Sequence, residues 1–167
     1  MTSDLNDPSL ILDQLTETKP YFINVSGGEP LLFKNLFVFA EDLKKVCKKL
    51  LLTTNGTLVQ QFPKDWFSIF DDVQISLDGN KDFHESIRGK DSFEKTIGAA
   101  KYLEGVVPVS FLCTVSSANH HQIRSIARIA RELGAAPNIG RMCGFSLGNP
   151  APLKDPSLLR NALEEAA

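Results

Sequence analysis

The chain has 167 residues, 43% hydrophobic and 23% charged, with a formal net charge of -2 and a pI of about 5.9. This is the composition of one soluble globular domain, and the charge balance offers no basic face for nucleic acid or for an anionic membrane. No apolar run approaches the ~20 residues that span a bilayer, and the acidic, polar start is no secretory signal, so a cytoplasmic setting is expected.

The spacing predicts a helix over 8–18, with Pro8 in its first turn. Residues 21–26 read as a buried strand that runs straight into Ser26-Gly27-Gly28-Glu29-Pro30. Over 34–48, Leu36, Phe37, Ala40, Leu43 and Cys47 recur at helical spacing, with Glu41, Lys44, Lys45 and Lys48 on the polar face. Leu50 to Thr54 is the next strand, stopped by Asn55-Gly56. Short helical stretches over 57–62 and 65–70 are interrupted by Pro63. Val73 to Leu77 alternates as a strand and ends in the turn signal Asp78-Gly79. A helix over 91–104 follows, with Ser92 as candidate cap, then a strand from Val106 to Val115. An amphipathic helix over 119–133 ends at Gly134, and Asn119 and His120 are its candidate caps. A short strand from Asn138 to Met142 and a helix over 156–166 complete the order.

Cys47, Cys113 and Cys143 lie far apart and form no C-x-x-C pair, which argues against a disulfide framework and a local zinc site. Cys47 and Cys113 fall on helical and strand patterns and read as buried apolar filler.

Strands alternating with helices imply a parallel sheet with right-handed crossovers. Such sheets bind ligands at the carboxyl ends of their strands, and four motifs fall there. Gly27 and Gly28 bare the backbone, so their carbonyls can accept from an ammonium group, and Glu29 can do so with charge assistance. Pro30 stiffens the exit from the strand. The plainer reading is a β-to-α turn, and for Asn55-Gly56 a left-handed turn is the better reading. Ser76 and Asp78 are two residues apart and share a face, where a hydroxyl facing inward reaches a ribose. His84 and Arg88 share a face if their segment is helical, and Arg88 then forks onto a carboxylate or phosphate. The alternative is a surface ion pair with Glu85. His120-His121 lacks a third ligand and makes no metal site.

Taken together and in order, Ser26-Gly27-Gly28-Glu29-Pro30, Thr54-Asn55-Gly56-Thr57, Ile75-Ser76-Leu77-Asp78-Gly79, His84 and Ile87-Arg88-Gly89 resemble the radical SAM superfamily. The likeness is greatest to members that modify peptides or proteins, such as anaerobic sulfatase-maturating enzymes and peptide maturases, and haem-biosynthesis relatives share the pattern. The resemblance implies an α/β fold, a parallel partial (β/α)6 barrel. It implies that Gly27, Gly28, Glu29 and Pro30 form the tip that holds the methionyl ammonium of S-adenosylmethionine. It further implies that Asn55, Ser76 and Asp78 belong to the cofactor site, with Ser76 on the ribose. Arg88 would face the methionyl carboxylate end, and the backbone near Arg141 and Met142 would contact adenine.

The resemblance also implies a 4Fe-4S cluster held by C-x3-C-x2-C on the family's first strand and the loop after it. This sequence has no such run, and Cys47, Cys113 and Cys143 lack the spacing. The expectation is a single incomplete domain over 1–167, N-terminally short of the first strand, that binds S-adenosylmethionine but does not cleave it alone. Its partners would be that cofactor and a peptide or protein substrate. The alternative is a cluster-free S-adenosylmethionine-binding or scaffold module. An unrelated α/β protein binding phosphate at its strand tips leaves the order of the motifs unexplained. Without the first strand, residues 21–26 are an exposed edge carrying no lysine or proline, so self-association through it is expected.

Overall fold

The computed structural model describes residues 8–141 and 155–166. Its helices are α1 (Pro8–Thr18), α2 (Leu36–Val46), α3 (Lys81–Arg88), α4 (Ser92–Leu103), α5 (Ile123–Glu132) and α6 (Pro156–Ala166). Its strands are β1 (Phe22–Val25), β2 (Lys49–Thr54), β3 (Asp72–Ser76), β4 (Val109–Val115) and β5 (Ala136–Arg141). All five strands are parallel, in the order β1-β2-β3-β4-β5.

This order decides the architecture. Each strand lies next to its successor, so crossovers of one hand carry every connecting helix to the same side of the sheet. The strands show it. Leu50, Leu52, Val73, Ile75, Phe111 and Cys113 have no exposed surface and pack with Ala40, Leu43, Ala99, Leu103 and Ile126 of the helices. Most alternate positions carry polar groups instead, with Leu51 and Leu112 between them. Thr53 Oγ1 lies 3.1 Å from Asn24 Oδ1 and 3.2 Å from Gln74 Oε1, a row across three strands. Ser110 donates to Asp72 Oδ2 at 2.7 Å on the same side. A parallel sheet with helices on one face and a polar opposite face is part of a barrel wall, as expected, and all its strand tips point one way.

Several boundaries differ from the predicted ones for identifiable reasons. Val106 to Pro108 belong to the turn before β4, and β5 begins at Ala136. The two stretches flanking Pro63 are 3-10 turns, Val59–Gln61 and Lys64–Ile69. Ser92 does not cap α4. Asp91 in the left-handed region (φ 63°) precedes the helix, and Ser92 Oγ donates back to the Gly89 carbonyl at 2.7 Å. Asn119 makes no capping bond either, because its Oδ1 accepts the Ser116 N–H at 2.8 Å. Gly134 sits at φ 62°, as a helix-terminating glycine should.

At the end of the sheet opposite the tips, Asp71 fastens β2. It accepts the Leu50 N–H at 2.7 Å, is bonded by Lys44, and lies 3.6 Å from Lys49 Nζ. Burial acts to raise its pKa, but the bonds from Lys44 and Leu50 and the two lysine charges outweigh it and hold the pKa below the usual value. A carboxyl depressed in the folded state contributes stability above its unfolded pKa of roughly 3.9, lost as pH falls through the folded value. Asp71→Ala is expected to lower urea stability by about 2 kcal/mol at pH 7 and to flatten the loss of stability below pH ~4. Equal wild-type and variant slopes in that acid window would contradict this role.

Candidate functional site

The β1 tip is backbone. Gly27 has φ +151°, a conformation that residues with a side chain rarely adopt, and a Cβ at Gly27 or Gly28 would meet nothing within 4 Å. The space in front of both peptides is therefore open. Glu29 turns back to its own fold: Oε1 accepts from Thr54 Oγ1 at 2.7 Å and from Leu31 N–H at 3.2 Å, and Oε2 accepts from Asn55 N–H at 2.8 Å. The carboxylate thus pins the β1 tip to the β2 tip, and one lone-pair direction on Oε2 remains. Pro30 is buried at the start of the 3-10 turn Pro30–Leu32.

The β2 tip is a turn. Asn55 Oδ1 accepts from both Thr57 N–H (2.8 Å) and Thr57 Oγ1 (2.6 Å), so its oxygen is used internally. Gly56 has φ +81°, and a Cβ there would lie 2.9 Å from Ile75 Cγ2. Asn55 shapes the site's rim through this turn and through its N–H on Glu29.

At β3, Ser76 is half-buried at the strand end, on the polar face with Gln74. Asp78 follows, 7% exposed. Arg88 Nε bonds Asp78 Oδ2, and Nη2 lies 3.5 Å from Oδ1. The arginine does fork onto a carboxylate, but it is Asp78 of the same site and not Glu85. His84, one helical turn before Arg88, has no exposed surface and accepts the Asp78 N–H through Nδ1 at 3.2 Å. Burial pushes its pKa down. Gln122 was not singled out by the sequence; its Oε1 accepts the Asn80 N–H at 2.9 Å, and its side chain packs where a Cβ on Gly79 would stand. A lone glutamine at the start of a helix carries no motif that would have found it.

Between α3 and the loop after β4 lies a cleft of about 820 Å³, lined by Asp78, Phe83, Ile87, Arg88, Thr114 and Asn119 among others. Its volume suits a small organic ligand. Asn119, 3% exposed, braces the far wall: Oδ1 takes the Ser116 N–H and Nδ2 donates to the Thr114 carbonyl at 3.2 Å. Glycine peptides, a carboxylate-held guanidinium and a cleft walled in part by Phe83 and Ile87 thus share one end of the sheet. Of the predicted site residues, Met142 lies outside the described residues, as does Cys143.

The thiols do not join this end. Cys113 is enclosed in the core, where burial pushes its pKa up to about 12. Cys47 follows α2 and precedes β2, so it sits at the opposite end of the sheet, and burial raises its pKa too. Neither is placed or ionised as a cluster ligand. Among the described residues no group of three or more His, Cys, Asp or Glu could hold a metal ion. No described helix is long and apolar enough to cross a membrane.

A sheet wound in one direction, with its open peptides and an aspartate-held arginine at the carboxyl ends, defines an α/β half-barrel. The model of the radical SAM superfamily matches residues 2–128, and the chain belongs to that superfamily. Over 137 residues it is 28% identical to mycofactocin maturase MftC of Mycolicibacterium smegmatis, covering 79% of this chain and 35% of that protein. Over 129 residues it is 30% identical to the antilisterial bacteriocin subtilosin biosynthesis protein AlbA of Bacillus subtilis, covering 74% of this chain and 29% of that one. Streptococcus suis SuiB bound to S-adenosylmethionine superposes with a TM-score of 0.71 at 16% identity, over 94% of this chain and 39% of SuiB. That likeness establishes the fold. The chain spans about a third of the length of these relatives. The superfamily's cofactors are S-adenosylmethionine and a 4Fe-4S cluster.

Proposed function

We propose that this chain binds S-adenosylmethionine across the carboxyl ends of its strands. The Gly27 and Gly28 carbonyls and the remaining lone pair of Glu29 take the methionyl ammonium, with Pro30 fixing the exit of that tip. Asn55 holds the neighbouring rim, and Ser76 meets the ribose from the polar face. Arg88, steadied by Asp78, offers its other guanidinium N–H groups to the methionyl carboxylate. The backbone at Met142 meets adenine. Neighbouring strands are about 4.8 Å apart, so β1 to β4 is about 15 Å, a span suited to an extended nucleoside joined to an amino acid. The observation that carries the reading is the Asp78–Arg88 pair facing a cleft at the same sheet end as the open Gly27-Gly28 peptides. S-adenosylmethionine, when bound, supplies the radical source of the family's reactions.

The donor set does not extend to the cluster. With Cys113 enclosed and Cys47 at the wrong end, the residues described here do not fit a 4Fe-4S group. The chain by itself is thus an S-adenosylmethionine-holding module that does not cleave its ligand. A maturase and a bacteriocin biosynthesis protein among its relatives support a peptide or protein as the second substrate. Calorimetric titration with S-adenosylmethionine is expected to give saturable heat with one site per chain. No heat at millimolar ligand would overturn the reading.

Self-association belongs to the same proposal. Among the described strands β1 is paired on one side only, by β2, and Tyr21 and Phe22 are 70% and 62% exposed. The opposite edge, β5, carries Pro137, which blunts pairing, whereas β1 carries none. A second copy pairing through β1 is expected to raise the scattering mass with concentration. Substituting the exposed Phe22 by lysine, a charge on that edge, should restore the monomer, and a wild-type chain monomeric at high concentration would exclude the contact.

A further inference from the structure

His84 is the one described histidine with no exposed surface, and the ligand reading gives it no task. Its Nδ1 lies 3.2 Å from the Asp78 backbone N–H, which only donates, so Nδ1 is the acceptor and the ring proton sits on Nε2. That Nε2 is buried without a hydrogen-bond partner, and the imidazole packs with the Phe93 ring in an edge arrangement at a centroid distance of 6.1 Å. An enclosed donor without an acceptor is unfavourable, and leucine would fill the volume without it. What leucine lacks is the lone pair on Nδ1.

We propose that His84 is a positioning residue: as a neutral imidazole it clamps the Asp78 peptide and thereby fixes the carboxylate that aims Arg88 into the cleft. This rests on the ligand reading above for its functional meaning. Three anchors immobilise the turn from β3 to α3. Leu77 N–H donates to the Leu112 carbonyl (2.9 Å), Asp78 N–H to His84, and Asn80 N–H to Gln122 Oε1 (2.9 Å). The charges that reach the ring are Asp78, whose Oδ2 lies 3.8 Å from Nδ1, and Arg88; Phe93 of α4 brings none. Without a proton, Nδ1 cannot compete with Arg88 for that carboxylate. A protonated Nδ1 would lose the Asp78 N–H, turn toward Oδ2 and set an imidazolium against the guanidinium.

Burial lowers the His84 pKa from its unfolded value of roughly 6.5. The unfolded chain then binds more protons between the two values, so the clamp is fully present above pH ~6.5 and weakens as pH falls through the folded pKa.

Two variants test this. His84→Asn places an amide oxygen near the Nδ1 position; His84→Leu keeps volume and removes the acceptor. His84→Leu is expected to speed hydrogen exchange at the Asp78 amide and to weaken S-adenosylmethionine binding about five- to tenfold, the loss of one ordinary hydrogen bond. His84→Asn should restore most of both. The ring's nitrogen NMR spectrum should show the Nε2–H tautomer in the wild-type chain at pH 7. An Nδ1–H ring, or unchanged Asp78 exchange in His84→Leu, would overturn the proposal. If His84→Leu fails to fold, the wild-type spectrum and His84→Asn decide it. Should the wild-type chain bind no S-adenosylmethionine while the exchange and rescue hold, the ligand reading fails and the clamp stands.

Discussion

Replacing Glu29 with alanine is expected to abolish measurable S-adenosylmethionine binding and to cost about 2–3 kcal/mol of stability. Both effects come from one carboxylate. It collects Leu31 N–H, Thr54 Oγ1 and Asn55 N–H, two of them from the neighbouring strand's tip. Thr54 is 2% exposed, so its released hydroxyl has little access to water. With the pins gone, the Gly27-Gly28 peptides lose their fixed distance from β2, and the ammonium loses its charged acceptor. Glu29→Gln is the sharper variant. Its shape is retained, but one amide oxygen cannot serve the donors that two carboxylate oxygens serve, and its NH2 is set against one of them. An intermediate loss, about 1 kcal/mol with roughly tenfold weaker binding, is expected from urea unfolding and calorimetry. An alanine variant that unfolds like wild type would remove the strand-pinning role.

The second large effect belongs to Arg88. Arg88→Ala strands the Asp78 carboxylate, which is 7% exposed, without its cation. Fully buried pairs lose roughly 3–5 kcal/mol when one partner is removed. The Arg88 side chain is 34% exposed, so screening reduces this to roughly 2 kcal/mol. Binding of S-adenosylmethionine is expected to fall by ten- to a hundredfold, since the carboxylate end loses its donor fork. Arg88→Lys should recover stability better than affinity, because an ammonium replaces the charge but not the planar fork. In a double-mutant cycle Asp78→Asn and Arg88→Ala should couple by about 1–2 kcal/mol. Additive losses would mean that the two side chains act separately.

How much of this was legible in the sequence depended on range. Gly27 and Gly28 announced an open tip because glycine's freedom is a property of the residue itself, and the structure shows that openness. The strand order followed from local periodicity and the polar face with Ser76 from strand alternation, whereas α3 (Lys81–Arg88) was open in the sequence and the stretches between β2 and β3 are 3-10 turns. What could not be read were partners set by tertiary packing. Glu29 is bound to Thr54 and Asn55, 25 and 26 residues on, so a residue read as a free acceptor is largely engaged. Arg88 chose Asp78, ten residues back, over Glu85 three back, because α3 folds its face onto the β3 tip. Gln122 reaches Asn80 across 42 residues. Ser92 looked like a cap, but the left-handed Asp91 and the Gly89 carbonyl claimed the turn first. Capping chemistry names a residue type; only the chain's path decides which carbonyl it meets.

Residue-resolved NMR of the chain during S-adenosylmethionine addition tests most directly whether the ligand lies at the carboxyl end of the sheet. The amides of Gly27, Gly28, Ser76 and Asp78 are expected to shift together along one saturating curve, with those beside Cys47 and Asp71 at the opposite end unmoved. No shift at millimolar ligand, or shifts confined to the Cys47–Asp71 end, would contradict it.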